Sequence, residues 1–298
     1  MSDVKESVPL QVAARPRLNE GRRILRVISG RWINIIGLAI IGVFLIIAIF
    51  APLIAPYDPN RQDLKATLQS PSTQHLLGTD ELGRDTLSRA LFGARISLMV
   101  GLVAVTIAAV IGTALGLCAG YFGSWTETII MRIIDALMSI PPLVLMLAIA
   151  AILGGGLKNV LIALGIGMVP VYCRLTAGQI LSLKESDFVT AAYSIGANDL
   201  RIMVRHLLPN SFATLLVAMT MQIGFAILAE ASLSYLGIGI SPPTATWGSM
   251  VSNGYRYLTT NPVLSFAPGL SILAVVLSFN LVGDGLRDAL DPRLRGTL

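Results

Sequence analysis

An all-α integral membrane protein with six transmembrane helices is the fold the sequence predicts, and three observations predict it. Of the 298 residues, 54% are apolar and only 13% carry charge, against about 25% charged in an average soluble domain. With a mean hydropathy of +0.73, so few charges cannot cover a water-facing surface, which excludes a soluble enzyme or a disordered scaffold. The second observation is the length of the apolar runs, each close to the roughly 20 residues a helix needs to cross a bilayer. Third, nothing alternates with period two as the strands of a barrel would, so helices must satisfy the backbone amides in lipid.

The first charge-free interval, Trp32 to Tyr57, has its core at 35–54. It follows Arg22, Arg23, Arg26 and Arg31, as the apolar stretch of a signal peptide would follow a basic start. It is too long and too late for that, and no small-residue cleavage site follows. It is therefore expected to stay as a transmembrane helix, 32–56. The second interval, 96–126, holds a span at 97–121. A third covers 128–153, beginning with Arg132 and Asp135 and containing Pro141-Pro142. The fourth covers 160–181 with Arg174 towards its end, the fifth 212–236 with Glu230, and the sixth 262–281 or 284.

Basic residues near span ends set the orientation. Residues 1–31 carry seven Lys and Arg, and segments 177–211 and 285–298 carry three each, whereas 154–158 and 238–261 carry one each. The five in 57–95 are offset by Asp58, Asp63, Asp80, Glu81 and Asp85. Both termini are thereby expected in the cytoplasm. The net charge of +5 is spread over 22 Lys and Arg, and no basic stripe carries interleaved aromatics, so no nucleic-acid partner is expected.

Cys118 and Cys173 lie in apolar stretches and read as small packed hydrophobes. With only His75 and His206 in the chain, a multi-histidine metal cluster is not expected. No G-x-x-x-x-G-K-[ST] occurs, and Gly154-Gly-Gly-Leu-Lys158 has the wrong spacing, so this chain should bind no nucleotide itself. An intramembrane protease would need a serine and a histidine facing each other at one depth. Ser249 and His206 fall on opposite sides of the predicted topology, so no catalytic residues are assigned.

Ionisable groups within spans are costly and want a partner or water. Arg132 and Asp135 are three apart on one helix and read as a local ion pair. Arg174 can snorkel to the interface, and Glu230 sits deeper and could line a pathway or gate. Four such sparse charges make a poor proton relay, and a coupled carrier usually shows paired broken helices. A secondary carrier remains the rival reading, which ATP-independent uptake would favour.

Three stretches outside the spans are more than connectors. The segment 57–95 includes His75-Leu-Leu-Gly-Thr-Asp80-Glu-Leu-Gly-Arg84-Asp85, then reads helical from Thr86 to Leu98. It can be a plain outer loop with an interfacial helix, or a docking and gating surface. In Ser186 to Pro209, Phe188, Ala191, Ala192 and Ile195 stand at helical spacing before Gly196 interrupts. Asn198 can cap a second helix, whose Leu200, Met203, Val204, Leu207 and Leu208 fit the i, i+3, i+4, i+7, i+8 template, and Pro209 is expected to stop it. Two short helices around a glycine make a projecting knob. It can lie on lipid as an amphipathic hairpin or enter a protein socket. Ala191, Ala192 and Gly196 are too small to insert among acyl chains and favour the socket. The third stretch runs from Glu230 through Gly237, Gly239 and Pro242-Pro243 to Trp247-Gly248-Ser249. Its glycines and prolines should break the helix at the outer interface, with Tyr235 and Trp247 in the headgroup belt.

The run Thr190-Ala191-Ala192-Tyr-Ser-Ile-Gly196, nine residues, then His206-Leu-Leu208-Pro209 resembles the E-A-A-x-x-x-G-x(9)-I-x-L-P loop of ABC importer permeases. More narrowly, the chain resembles the second permease subunit of the dipeptide, oligopeptide and nickel importer family. Leu77-Gly-Thr-Asp80-Glu-Leu-Gly-Arg84-Asp85, Gly93-Ala-Arg95-Ile-Ser-Leu98 and Met131-Arg-Ile-Ile-Asp135 carry that likeness. So do Ser232-Leu-Ser-Tyr-Leu-Gly-Ile-Gly with Pro242-Pro243 and Trp247-Gly248, Phe279-Asn280 to Arg287-Asp288, and Asp291-Pro292. Thr190 stands where the loop usually has Glu and His206 where it usually has Ile, which bears on interface detail.

The resemblance implies a type I ABC importer permease fold, with a five-helix core at 96–285 and a coupling loop at 182–211. Residues 1–31 and 286–298 would be cytoplasmic segments and 57–95 an extracytoplasmic one. It implies a homologous permease partner, two ABC ATPases that hold the ATP and Mg, and an extracytoplasmic solute-binding protein near 57–95 and 238–261. The setting would be a prokaryotic plasma (inner) membrane. Thr190, Ala191, Ala192, Gly196, Asn198, Asp199, Leu208 and Pro209 would form the ATPase-coupling loop, with Asn198 and Asp199 fixing its second helix. The cargo would be peptides, although nickel, glutathione and other small solutes use the same scaffold.

Overall fold

The computed structural model describes residues 31–290. The basic N-terminal residues before Arg31, the Asp291-Pro292 motif and the tail beyond lie outside the described residues. Ten helices follow one another here: α1 (Trp32–Ile54), α2 (Thr86–Phe122), α3 (Ser124–Met138), α4 (Pro142–Leu153), α5 (Leu157–Lys184), α6 (Asp187–Ser194), α7 (Asp199–Arg201), α8 (Leu208–Tyr235), α9 (Trp247–Tyr255) and α10 (Val263–Leu290). A π-helical turn, Ile202–Leu207, joins α7 to α8. Among the described residues the extended pairing is limited to one bridge, Thr79 with Asp85.

Five of these segments are long and apolar enough to cross a bilayer, counting α7 through α8 as one continuous rod of 37 residues. The third expected span is not straight. Its two halves, α3 and α4, meet at 90° across Ser139–Pro141. Pro141 and Pro142 have no N–H to donate, and the residue before a proline is pushed out of the helical region. The helix therefore ends at Met138 and restarts with Pro142 in its first turn. Counted as one broken span, the pair is the sixth. The second span, in contrast, is longer than the apolar run suggests. α2 has 37 residues, which at 1.5 Å each is about 55 Å, so its first turns stand clear of the hydrocarbon.

The core is built on α2 and α5. Gly112, Gly116 and Gly120 recur every fourth residue of α2 and face α5, so the two backbones touch. A Cβ on Gly116 would lie 2.4 Å from the Cys173 carbonyl oxygen, and one on Gly112 2.7 Å from that of Val169. Gly120 stands 2.9 Å, by the same measure, from the Ala177 oxygen. Without a hydrophobic force between helices in lipid, such small-residue contacts are what dispersion can exploit. Around this pair Val100, Ala104, Ala108, Leu164, Met168 and Tyr172 pack with Leu215, Ala226 and Leu233 of α8 and Met146 of α4. Cys173 is buried between Ile134 and Val169, and Cys118 packs beside the knob, both as free thiols in apolar surroundings.

α1 lies on the outside of α2 and α10. Its Asn34 is buried against Gly285, where a Cβ would sit 2.3 Å from Nδ2, and its Gly37 meets the Ser278 carbonyl of α10. Arg31 pairs with Asp288 across the same end. Most other side chains of α1 point away from the protein, as a lipid-facing helix requires. Both described ends of the chain thus lie at the end of the bundle that carries α6 and α7, called here the knob end. The segment 57–85 and α9 occupy the opposite, cap end.

Replacing Gly116 by Val should overpack the α2–α5 seam and cost about 1–3 kcal/mol, whereas Gly178→Ala, which meets open space, should be neutral. Thermal unfolding of the detergent-solubilised protein checks this; equal melting temperatures for the two variants would contradict the seam.

Candidate functional site

The knob is a compact unit in which α6 and α7 meet at a left-handed residue. Gly196 has φ +78°, a conformation costing a residue with a Cβ about 1–2 kcal/mol. Around it the helix end closes as a Schellman motif: the Ala197 N–H donates to the Ala192 carbonyl at 3.1 Å and that of Gly196 to Tyr193 at 2.9 Å. Asn198 then starts the next helix, its Oδ1 accepting from the Arg201 N–H at 2.9 Å. The expected cap is therefore in place.

Past Arg201 the chain does not stop at Pro209. The π turn places the Leu208 N–H on the Met203 carbonyl, five residues back, and Pro209 falls in the first turn of α8. Widening the helix just before the proline relieves the clash of its ring with the carbonyl four residues earlier and leaves no donor wanting. The second arm of the knob is therefore continuous with a membrane-crossing helix.

That turn also changes which side chains face inward. Ile202, Met203 and Leu207 are buried with Val189 and Ala192 against Leu117, Tyr121 and Ile180 of α2 and α5. Leu200 and Val204, which an α-helical template would bury with Met203, instead face outward, because the π turn inserts extra chain into the helical period. Ala192 is likewise corrected: it belongs to the inward face and not to the surface. Thr190, Ala191 and Gly196 remain on the surface, together with Asn198, Asp199 and Pro209, and Leu208 is half-buried at the root. Ile195 at 85% exposure and Leu200 at 69% form an apolar tip, flanked by Phe188 and Val204.

One tyrosine ties this knob to the bundle. Tyr121, the penultimate residue of α2, is only 4% exposed. Its hydroxyl lies 2.5 Å from that of Tyr193 in α6 and donates to Asp199 Oδ1 of α7 at 2.7 Å. Lys184, the last residue of α5, donates from Nζ to the Tyr121 carbonyl at 2.9 Å. Motif reading passes over Tyr121 and Lys184, because each is a lone polar residue at a span end. The one available signal is their shared position where an apolar run stops.

At the cap end the Leu77–Asp85 motif is a folded clasp. Asp80 accepts from the Leu82 and Arg84 backbone N–H groups at 2.9 and 3.0 Å and from Arg84 Nε at 2.7 Å, with Arg89 Nε 3.4 Å away. Asp85 caps α2, accepting from the Ser88 N–H and hydroxyl at 2.7 Å each, and its other oxygen meets His75 Nδ1 at 2.9 Å. Gly83, at φ +69°, lies where a Cβ would be 1.8 Å from the Asp63 carbonyl oxygen. Trp247 is not in a headgroup belt. It is 1% exposed, donates from Nε1 to the Ala90 carbonyl at 3.0 Å and packs on Phe44. Tyr235 does stand at the surface, against Tyr255.

Two ionisable assignments need correction. Asp135 pairs with Arg174 of α5, not with Arg132. Ile134 is the residue of α3 that enters α5. At 100° per residue Asp135 flanks that contact, while Arg132, two residues back, points away. Glu230 lines no opening: it is 0% exposed, takes a 2.7 Å hydrogen bond from Ser234 and lies beneath the start of α9, whose Gly248 presses on Ala231. An open groove lies elsewhere in the bundle. A groove of about 400 Å³ separates α2 from α8 just above the knob, with Val110, Thr113 and Ala114 on one wall and Phe212, Leu215 and Met219 on the other.

These features define a class, a multi-pass membrane subunit whose soluble parts are a rigid cap and a protruding two-arm knob. Comparison with known proteins agrees. Residues 112–296 match the family described as binding-protein-dependent transport system inner membrane component. Residues 21–71 match the N-terminal TM domain of oligopeptide transport permease C. The dipeptide transport system permease protein DppC of Alkalihalophilus pseudofirmus is 46% identical over 261 residues, 88% of this chain and 86% of that one. The glutathione transport system permease protein GsiD of Escherichia coli is 47% identical over 253 residues, 85% and 84% of the two chains. A chain of the inward-facing MetNI methionine ABC transporter shares the fold, with a TM-score of 0.56 at 19% identity, covering 69% of this chain and 98% of its own.

The chain belongs to the binding-protein-dependent transport system inner membrane components, as an ABC importer permease of the DppC/OppC type. It has the type I permease fold and is a non-catalytic transport subunit of the inner membrane. Members of this family work with ATPase and binding-protein partners.

In a double-mutant cycle on thermal stability, Asp135→Ala and Arg174→Ala should be non-additive, with a coupling of about 0.2–1 kcal/mol. Asp135→Ala with Arg132→Ala should simply add; the reverse pattern would restore the local pair.

Proposed function

We propose that this chain forms half of the translocation pathway of an ATP-driven peptide importer and receives its driving force through residues 187–208. A homologous permease supplies the other half of the pathway. Two ATPases bind the ATP and Mg, so that this chain holds no cofactor, and a solute-binding protein docks at the cap end. The knob end faces the cytoplasm, because the basic residues near span ends concentrate there. Both termini then lie inside, with Arg31 and Asp288 already together at that end.

The observation that carries this reading is the knob itself. Ile195 and Leu200 are largely exposed on a projection held rigidly from behind, and large apolar side chains exposed at a soluble end mark a site for another protein. Beside them Ala191 and Gly196 leave the surface low enough for close approach. A groove on one ATPase would accept this tip, the homologous permease occupying the other, and closure of the ATPases on ATP would carry it along. Because α7 runs through the π turn into α8, that displacement reaches the membrane without crossing a flexible joint.

Peptide cargo is supported by the relatives. The similar permeases are named for dipeptide and glutathione transport, and glutathione is itself a small peptide. Uptake of a labelled dipeptide by proteoliposomes containing the whole complex tests the cargo class; uptake without ATP would point to a carrier.

Gly196→Arg should abolish uptake and ATPase co-purification while leaving membrane insertion intact, whereas Gly196→Ala, strained by about 1–2 kcal/mol but no bulkier than its surroundings allow, should keep part of both. Normal ATPase association and uptake in the arginine variant would remove the knob from the docking role.

A further inference from the structure

We infer that the Tyr121 hydroxyl is the positioning group that transmits knob movement to α2. This rests on the coupling role proposed above for the knob. The routes into α8 and, across Glu185–Ser186, into α5 are covalent, but nothing covalent links the knob to α2. The polar link is a chain of three side chains, with Tyr121 of α2 between Tyr193 of α6 and Asp199 of α7. Among the described residues no other side-chain hydrogen bond joins α2 to residues 187–207.

The donor count makes the link directional. A phenol has one proton to give. Tyr121 gives its proton to Asp199 Oδ1 at 2.7 Å, so the 2.5 Å contact with Tyr193 requires Tyr193 to be the donor. One oxygen thus holds both arms of the knob, and a hydrogen bond to a carboxylate is about twice as strong as a neutral one. The backbone of the same residue is held by Lys184, at the end of α5, and the α2 helix beneath it is locked to α5 at Gly120, Gly116 and Gly112. A pull on Tyr121 is therefore a pull on two helices that cannot slide apart.

Substitution by Phe separates this role from a structural one. The ring keeps its place between Leu117, Val189 and Ile202. The abandoned partners, Tyr193 and Asp199, are both exposed and can turn to water, so no buried polar group is orphaned. The complex should assemble, and its ATPases should still find the knob.

The experiment uses the full complex in proteoliposomes, with ATP hydrolysis and uptake of a labelled dipeptide measured on one preparation. With Tyr121→Phe, co-purification of the ATPases and hydrolysis should stay at the level of the unaltered complex. Uptake per ATP hydrolysed should fall by about tenfold, the coupling that one or two such hydrogen bonds can carry. The pair Tyr193→Phe with Asp199→Ala, which removes both partners of the hydroxyl, should lower the same ratio. An unchanged ratio overturns the inference, and so does a proportional loss of association, hydrolysis and uptake, which is what a merely structural tyrosine would give. Absence of ATPase association with the unaltered chain would overturn the coupling role as well, so the two failures are distinguishable.

Discussion

The closeness of α2 and α5 is the constraint on which the rest of the molecule depends. In lipid there is no water to expel from between helices, so contact strength comes from how near two backbones can lie. Three glycines at four-residue spacing bring carbonyl oxygens of α5 to within 2.4–2.9 Å of where their side chains would begin. With that pair fixed, α3 and α4 wrap the far side of α5, α8 packs into the near side, and the knob has a firm base at Leu117, Tyr121 and Ile180. α1 is different in kind, an outlying helix held at its N-terminal end by Asn34 against Gly285 and by Arg31 with Asp288.

The two ends of the bundle solve opposite problems. At the cap end, charges are consumed internally: Asp80 binds Arg84 and approaches Arg89, and Asp85 takes Ser88 and His75. Positive-φ glycines at 78 and 83 allow the chain to fold back on itself there. The result is a folded lid over the cap-end start of α2. At the knob end the bonds secure the base alone, and the tip is left apolar and uncovered. A tip that exposes Ile195 and Leu200 is a surface for another protein.

What the residues disclose follows from the range of the forces involved. Helices announce themselves, because each must satisfy its own amides within one apolar run. Asn198 as a cap and Gly196 as a turn are legible for the same reason, both being local backbone chemistry. The order of the motifs carried the family. Partner choice was not legible: Asp135 has two arginines within reach, and only the rotation of α3 imposed by Ile134 decides for Arg174. Trp247 looks like an interfacial residue until the cleft beside Gly93 and Ala90 exists to take it. Pro209 reads as a stop because a proline normally is one, and the π turn that lets the helix continue has no simple sequence signature. The glycines of α2 were in plain view at spacing four, but their partner helix was not.

Knob and groove are connected by this geometry. One wall of the α2–α8 groove descends through Phe212 and Leu208 into the π turn, and the other descends through Ala114 and Leu117 to Tyr121. The first wall is joined to the knob by peptide bonds and the second by hydrogen bonds to one phenol. If the knob translates with both links intact, both walls follow and the groove keeps its width. Without the Tyr121 link the α8 wall would swing while α2, held by α5, stayed behind, and the groove would open or narrow. The coupling proposed for Tyr121 is therefore the first case, in which α2 is carried along with α8. On that proposal a displacement of the knob moves both walls together, through peptide bonds on one side and a phenol on the other.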